Sequence, residues 1–399
     1  MHKEMHVLFV CTHEGTQNLL RMPRILKEAG CTVSLLTTQD NILVKSRFND
    51  FVLPKEPDVQ SLIISLKNHL TENPGRYTWI LIGDESPLFE IIKYRGESWI
   101  DGWFPVDTKS EALDIIAYKD AFARACMSHG IPFPTTQVCG DIDHALAIAE
   151  NIGYPVMLKT TRGSSGYGVR SAKNSEEFLA AHTSVGSPKK FILQKLVTGQ
   201  VGVTEMLLDR GEPLAWISSY KYQTVHGKFG PSCARQFMVH PDMEGIIQQI
   251  GKMTHFHGLC GFDWIHHKEE DAIYVIEFHA RPSSGFHFGE VCHVNFSEGI
   301  RNTFSGKKTV QRPVIPPSTN KPKIAYMFPQ HISRCIEELD ILDVIHWIPG
   351  IKTNCHYDIL LNDPMLLKGI MKHCIFNKLT DGIAGVFKKL RSFKKGDTL

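Results

Sequence analysis

A lysine followed at once by a glycine-rich loop is the feature of this chain best suited to chemistry. In Tyr154-Pro-Val-Met-Leu-Lys159-Thr-Thr-Arg-Gly163-Ser164-Ser165-Gly166-Tyr-Gly168-Val-Arg170, a short apolar run ends in Lys159. Glycines let backbone N–H groups turn toward a polyanion with no side chain in the way, and the lysine adds a positive charge beside them. Together they suit the holding of phosphates. The competing reading is a flexible hairpin tip without a ligand.

Two familiar phosphate loops do not fit. Gly163 and Gly168 have the spacing of a Walker A loop, but Val169-Arg170 stand where Lys-Ser/Thr is needed. Gly166 and Gly168 open a dinucleotide fingerprint, but Ser171 takes the place of its third small residue. Val169-Arg170-Ser171 reads as a strand, and the next helix signal waits until Asn174-Ser175. The loop is therefore expected to join two strands as a flap.

A second set of reactive side chains lies downstream, in the strand-like runs Cys260–Ile265 and Ile273–His279. Side chains alternate across a strand, so Glu277 and His279 share a face. A glutamate among apolar neighbours needs a partner. A magnesium ion would supply one, and so would Arg281 or a nearby lysine.

The elements that position these groups follow from periodicity. His6–Cys11, a helical spacing through Leu19, Leu20, Ile25 and Leu26, and Cys31–Leu36 give a β-α-β rhythm and a parallel sheet. Tyr77–Ile82 is a further strand. Ligands of such sheets lie at the strand carboxyl ends, so His13-Glu14-Gly15-Thr16 and Gly83-Asp84-Glu85 are expected on one rim. One helix is expected over 111–129, stopped by Gly130 with Pro132 and Pro134 beyond it. Another is expected over 141–152, and one over 242–257. Strands are expected at 191–194, 203–208 and 214–220, with 221–236 a polar, mobile loop.

The chain has 399 residues, enough for several domains. Lys plus Arg number 44 and Asp plus Glu 42, so the balance implies no nucleic-acid partner. Ten cysteines without a Cys-x-x-Cys pair fit reduced thiols and a cytoplasmic setting. The N-terminus passes directly into a strand, so no signal peptide is expected.

In chain order, these pieces resemble the ATP-grasp superfamily. Tyr118-Lys119-Asp120 with Gly130-Ile-Pro132-Phe-Pro134 resembles its opening motif. Lys159 with Gly163–Gly168 resembles its second lysine and flexible glycine loop. Gln194-Lys195-Leu196-Val197 is similar to its adenine hinge. Gly261-Phe-Asp263 and Ile276-Glu277-Phe-His279-Ala-Arg281-Pro282 resemble its metal strands. The segments Val197–Val203, Asp209–Leu214 and Gly230-Pro231-Ser232 with Arg235 are similar to a bacterial branch of carboxylate–amine ligases and the carbamoyl-phosphate synthase ATP-binding domain.

The resemblance implies an α/β and α+β multidomain protein. A Rossmann-like pre-ATP-grasp domain would span 1–107, a small lobe with the flap 108–190, a large lobe with the metal and substrate site 191–310, and a linker with a basic helical extension 311–399. It implies ATP and Mg2+ as cofactors. Lys119 and Lys159 would hold phosphates, and Gly163, Ser164, Ser165, Gly166 and Gly168 would cover them. Gln194, Lys195, Leu196 and Val197 would meet adenine. Asp263, Glu277 and His279 would bind metal. Arg281 would stabilise the transferred phosphoryl group, with Arg235 facing the acyl phosphate or acceptor.

Two departures stand out. His279 replaces the usual asparagine, and because imidazole binds magnesium poorly compared with oxygen, one ion is expected to be weakened, absent or replaced by Mn2+. Gln200-Val201-Gly202 stand where a ribose-binding carboxylate is common, with Glu205 the candidate replacement.

The function implied is ATP-dependent coupling of a small-molecule carboxylate to an amine through an acyl phosphate. The alternative is an ATP-binding sensor or scaffold without turnover. A metal hydrolase built on His255, His257, His266, His267, His279 and His287 lacks a recognisable ligand spacing. Pro313–Pro322 reads as a linker. Beyond it Met365, Leu366, Leu367, Ile370, Met371, Cys374 and Ile375 recur at helical spacing, with basic residues around and after them. That stripe suits packing on the chain itself better than a membrane surface. A homodimer stays open.

Overall fold

The computed structural model describes residues 5–162, 168–225, 227, 230–315, 323–347 and 355–372, and at 341, 346 and 355–358 the backbone alone. Fifteen strands, β1–β15, lie in three sheets among these residues.

The first sheet is parallel. Its strands β1 (His6–Cys11), β2 (Thr32–Thr37), β3 (Phe51–Val52) and β4 (Trp79–Ile82) stand in the order β3-β2-β1-β4. Near-continuous apolar runs in β1 and β4 are what a parallel sheet covered on both faces requires. Val7 to Cys11 are fully buried. At the carboxyl end of the sheet, Asp84 accepts from the Thr12 backbone N–H (2.6 Å), the Thr12 hydroxyl (3.0 Å) and the Ser86 N–H (3.2 Å). It thereby caps the helix Glu85–Ile92 and ties the two rim loops together. Burial pushes the Asp84 carboxyl up to about 6 despite these donors.

The second sheet is antiparallel, with β5 (Thr136–Cys139), β6 (Val156–Thr160), β7 (Val169–Ala172) and β8 (Phe191–Lys195) in the order β5-β8-β6-β7. β6 and β7 flank the glycine loop as the flap reading requires, and Thr160 N donates to Gly168 O at 3.0 Å. Asn174 caps the next helix, Ser175–Ser184, by accepting from the Glu177 N–H. β8 pairs with β5 and β6, so the expected boundary at 190/191 falls inside this sheet. The chain leaves the sheet after Lys195.

The third sheet holds β9 (Gln200–Asp209), β10 (Glu212–Thr224), β11 (Ser232–Met238), β12 (Gly258–His267), β13 (Ala272–His279), β14 (Ile324–Met327) and β15 (Cys355–Asp358), in the order β13-β12-β9-β10-β11-β14-β15. Buried Trp264, Phe262, Phe256 and Met206 anchor one side of it. Each large apolar side chain so buried contributes about 1.5–3 kcal/mol.

Four expectations need correction. The helix expected over 111–129 is two helices, Ala112–Ala117 and Lys119–Ser128, broken by an extended Tyr118. The break lets the Lys119 N–H donate to Thr161 O (3.2 Å) while Phe122 packs on Phe278 and Phe133. The helix expected over 242–257 spans Met243–Thr254. The polar stretch 221–236 is largely strand: β10 runs through Thr224, β11 begins at Ser232, and Lys221 pairs with Arg235 across them. Lys221 and Arg235 find ionic partners in Asp263 and Glu205, so polarity does not exclude it from a sheet. Finally, the segment after 311 is more than a linker and helix. β14 pairs with β11 and β15 with β14, which extends the large sheet.

The helix Pro364–Ile370 buries Leu366, Gly369 and Ile370, with Gly369 against Ile42 and Lys45 in the segment between β2 and β3. Leu366 and Ile370 of this stripe pack on the chain itself, whereas Met365 is exposed. Cys374, Ile375 and the basic residues beyond lie outside the described residues. Among the described residues no helix is long and apolar enough to cross a membrane.

Candidate active site

The three sheets meet around a cavity of about 580 Å³, within the range of small-molecule sites. β6 contributes Lys159, β8 Gln194 and Lys195, β12 Asp263, and β13 Glu277 and His279, with Arg281 just after it. Arg235 enters from β11. His13, Glu14 and Glu85 come from the rim of the first domain. Lys119 joins through an ion pair with Glu277 at 3.0 Å. Gly163, Ser164, Ser165 and Gly166 lie outside the described residues, and Gly168 sits at the base of their loop.

The cations and anions are interleaved. Asp263 faces Glu277 across β12 and β13. Burial opposes ionisation of Asp263, but Lys221 (2.6 Å) and His279 (3.2 Å) outweigh it and hold the carboxyl well below the usual range. Burial likewise opposes ionisation of Glu277, and the Lys119 and His279 charges overcome it. Lys159 has no such compensation. Its burial pushes the ammonium down to about 8, further than Glu277 can restore.

Asp263, Glu277 and His279 place two carboxylates and an imidazole on adjacent strands. The Nδ1 of His279 is buried and has no hydrogen-bond partner. This donor set fits a divalent cation, with the nitrogen tilting preference from Mg2+ toward Mn2+.

At the hinge, Gln194 is buried and donates to the Thr136 hydroxyl at 2.8 Å. The N–H groups of Lys195 and Leu196 already donate to Thr135 O and Pro155 O. An adenine here would therefore use the carbonyls and the Val197 N–H rather than all three residues. Glu205 needs a larger correction. It is fully buried, ion-paired with Arg235, and accepts from the Ser283 hydroxyl at 2.6 Å. It does not line the cavity and cannot reach a ribose at Val201. Gly202 is fixed by packing, because a Cβ there would strike the Trp264 ring.

Arg281 is held by Glu85, with Nη2 2.9 Å from the carboxylate. Ser283 and Ser284 follow it in the wall, and Arg235 reaches toward Ser284 (3.4 Å). Sequence reasoning missed Lys221, which the alternation of Ser219 and Lys221 along β10 would have exposed as a strand residue. It also missed Gln330, Ser333 and Glu337, cavity residues from the helix Gln330–Glu337. No local signal marks those three, because strand pairing far from the motifs brings them in.

Residues 118–197 match the family model described as carbamoyl-phosphate synthase L chain, ATP binding domain. Solved structures share the fold over most of the chain. L-amino acid ligase from Bacillus licheniformis is 15% identical, covers 81% of this chain and 79% of its own, with a TM-score of 0.58. N5-carboxyaminoimidazole synthetase from Staphylococcus aureus, complexed with ADP, is 13% identical over 81% of this chain and 82% of its own, with a TM-score of 0.59. The biotin carboxylase domain of 2-oxoglutarate carboxylase from Hydrogenobacter thermophilus, complexed with MgADP and bicarbonate, is 15% identical over 77% and 71%, with a TM-score of 0.57.

Proposed function

The chain carries the ATP-grasp fold, and on that premise we propose that it is an ATP-dependent ligase that couples a carboxylate to an amine. The observation that carries this reading is the convergence of Lys159, Asp263, Glu277, His279, Arg235 and Arg281 on one cavity, with the Gln194–Val197 hinge at its edge. ATP would lie with adenine at the hinge and phosphates between Lys159 and Lys119. Asp263, Glu277 and His279 would hold the divalent cation, which supplies charge neutralisation at the phosphate oxygens.

A substrate carboxylate oxygen attacks the γ-phosphorus, the bond to the β-phosphate oxygen breaks, and ADP leaves. The amine nitrogen then attacks the acyl carbon, phosphate departs with the former carboxylate oxygen, and the nitrogen loses a proton. The protein's part is positioning and charge stabilisation. Lys159 is largely desolvated and meets the phosphates with little water to displace. Arg281, steadied by Glu85, would face the transferring group. Arg235, steadied by Glu205, would face the acyl group.

Relatives of the same fold act on amino acids or on carboxylation substrates, so the substrate pair is open by class. A screen of amino acids and small carboxylates with amine acceptors, under Mg2+ and Mn2+, tests the reading. ADP release that needs both partners supports it. Tight ATP binding without turnover across the panel would instead establish a nucleotide sensor.

A further inference from the structure

We propose a second metal site, for a transition-metal ion of the zinc type, formed by His240, His266 and Asp271 on the face of the large sheet opposite the cavity. The placement follows from strand alternation. Asp263 and Ile265 line the cavity, so Trp264 and His266 point to the other face. There Trp264 is wholly buried and His266 stacks on Tyr220 with planes 6° apart. His240 follows β11 and meets the His266 ring edge-on, with centroids 5.2 Å apart. Asp271 sits in the turn between β12 and β13 with a left-handed φ of 48°.

The ligand atoms of the three residues lie within 4.8 Å of one another. His266 Nε2 is 2.8 Å from Asp271 Oδ1, and His240 Nε2 is 3.6 Å from the same oxygen. Zinc bonds of about 2.0–2.2 Å place tetrahedral ligand atoms roughly 3.3–3.6 Å apart. The observed separations reach from below that range to its upper end, so small side-chain shifts would admit the ion.

The decisive observation is His240. Its side chain is only 6% exposed, and its Nε2 is buried without a hydrogen-bond partner. A buried polar atom left unpaired costs stability unless something satisfies it, and a metal ion would do so.

The outer partners suit ligation. His266 Nδ1 lies 2.6 Å from the Tyr220 hydroxyl, which orients the ring and leaves Nε2 toward Asp271. The Asp242 backbone N–H donates to His240 Nδ1 at 3.3 Å, and the Asp242 carboxylate lies 3.8 Å from the same nitrogen. Metal binding through Nε2 puts the proton on Nδ1, so the backbone contact must give way to a bond from Nδ1–H to that carboxylate. Such partners of metal-bound histidines fix tautomer and orientation. Two imidazoles and one carboxylate favour zinc over magnesium or calcium, and water completes the shell. The ion would clamp the β12–β13 turn to the end of β11.

The test uses the full chain, stripped with chelator and dialysed against Zn2+, with bound metal counted by elemental analysis. Asp271→Asn is the key variant. Asp271 is 78% exposed, and asparagine tolerates the left-handed backbone, so the fold is kept. His279→Asn controls for zinc in the cavity. The site predicts one zinc equivalent that His279→Asn retains and that Asp271→Asn and His240→Gln bind about tenfold more weakly or worse. It also predicts that Co2+ gives tetrahedral absorption bands lost in Asp271→Asn. A full chain that binds no zinc, or an Asp271→Asn variant that binds as the parent does, overturns the proposal.

Discussion

Lys221 Nζ stands 2.6 Å from Asp263 Oδ2, so a lysine occupies one side of the carboxylate that the site offers to a metal. The two residues come from β10 and β12, with β9 between them. On the proposed function, a cation entering the site would compete with this ammonium for Asp263, and the displaced lysine would turn toward an incoming phosphate.

Lys221→Met should therefore bind Mn2+ more tightly than the parent when no nucleotide is present. The gain should be about fivefold or more, the scale of an ion pair of ~1 kcal/mol. ADP formation should fall in the same variant. Manganese titration followed by electron paramagnetic resonance measures the first effect. Unchanged Mn2+ affinity would mean that Lys221 does not compete for the carboxylate.

His279→Asn replaces imidazole nitrogen by an amide oxygen at a ligand position. Magnesium prefers oxygen, so the ratio of Mg2+-supported to Mn2+-supported turnover should rise in the variant. Initial rates across both metals give the ratio. Loss of activity with both ions would assign the histidine a role other than ligation.

On the proposed function, Lys159 should make nucleotide binding depend on pH. Burial pushes its ammonium down to about 8, against an ordinary value of 10.5. Below pH about 8 it is charged and nucleotide affinity should be flat. Above it, affinity should decline, with binding accompanied by proton uptake. Stability of the nucleotide-free chain should show the opposite sign. Between about 8 and 10.5 the unfolded chain holds more protons at this lysine, so the contribution of Lys159 to folding stability rises with pH. Calorimetry in buffers of different ionisation enthalpy counts the protons.

Glu205 and Arg235 form a pair that is buried on both sides, with side chains 0% and 5% exposed. Glu205→Ala leaves the guanidinium uncompensated, and a loss of about 3–5 kcal/mol in unfolding free energy is expected. Denaturant titration measures it. A loss under ~1 kcal/mol would show that water or another group takes over the charge.

Much of this site was legible in the sequence because its groups sit at strand ends and strand periodicity is short. Lys159 after an apolar run, and Glu277 and His279 two residues apart, can be placed from local pattern alone. Glu205 was misplaced because it shares the cavity face of β9 with Val201 and Val203, and only the folded chain shows that Arg235 and Ser283 cover it there. Its partners Arg235 and Ser283 are 30 and 78 positions away. Lys221 was hidden by composition, since polar strands look like loops until their ionic partners are known. β14 and β15 were hidden for a related reason. Each has 4 residues, and only pairing with β11 makes a strand of β14 and then of β15.

The central claim is that the cavity activates a carboxylate with ATP. The most direct test follows 18O from the carboxylate of a substrate pair that supports ADP formation. The account predicts that one labelled oxygen per turnover appears in the released phosphate, and that Glu277→Gln abolishes this transfer while remaining folded. Unlabelled phosphate, or ADP formation that proceeds equally well without the carboxylate, would contradict it.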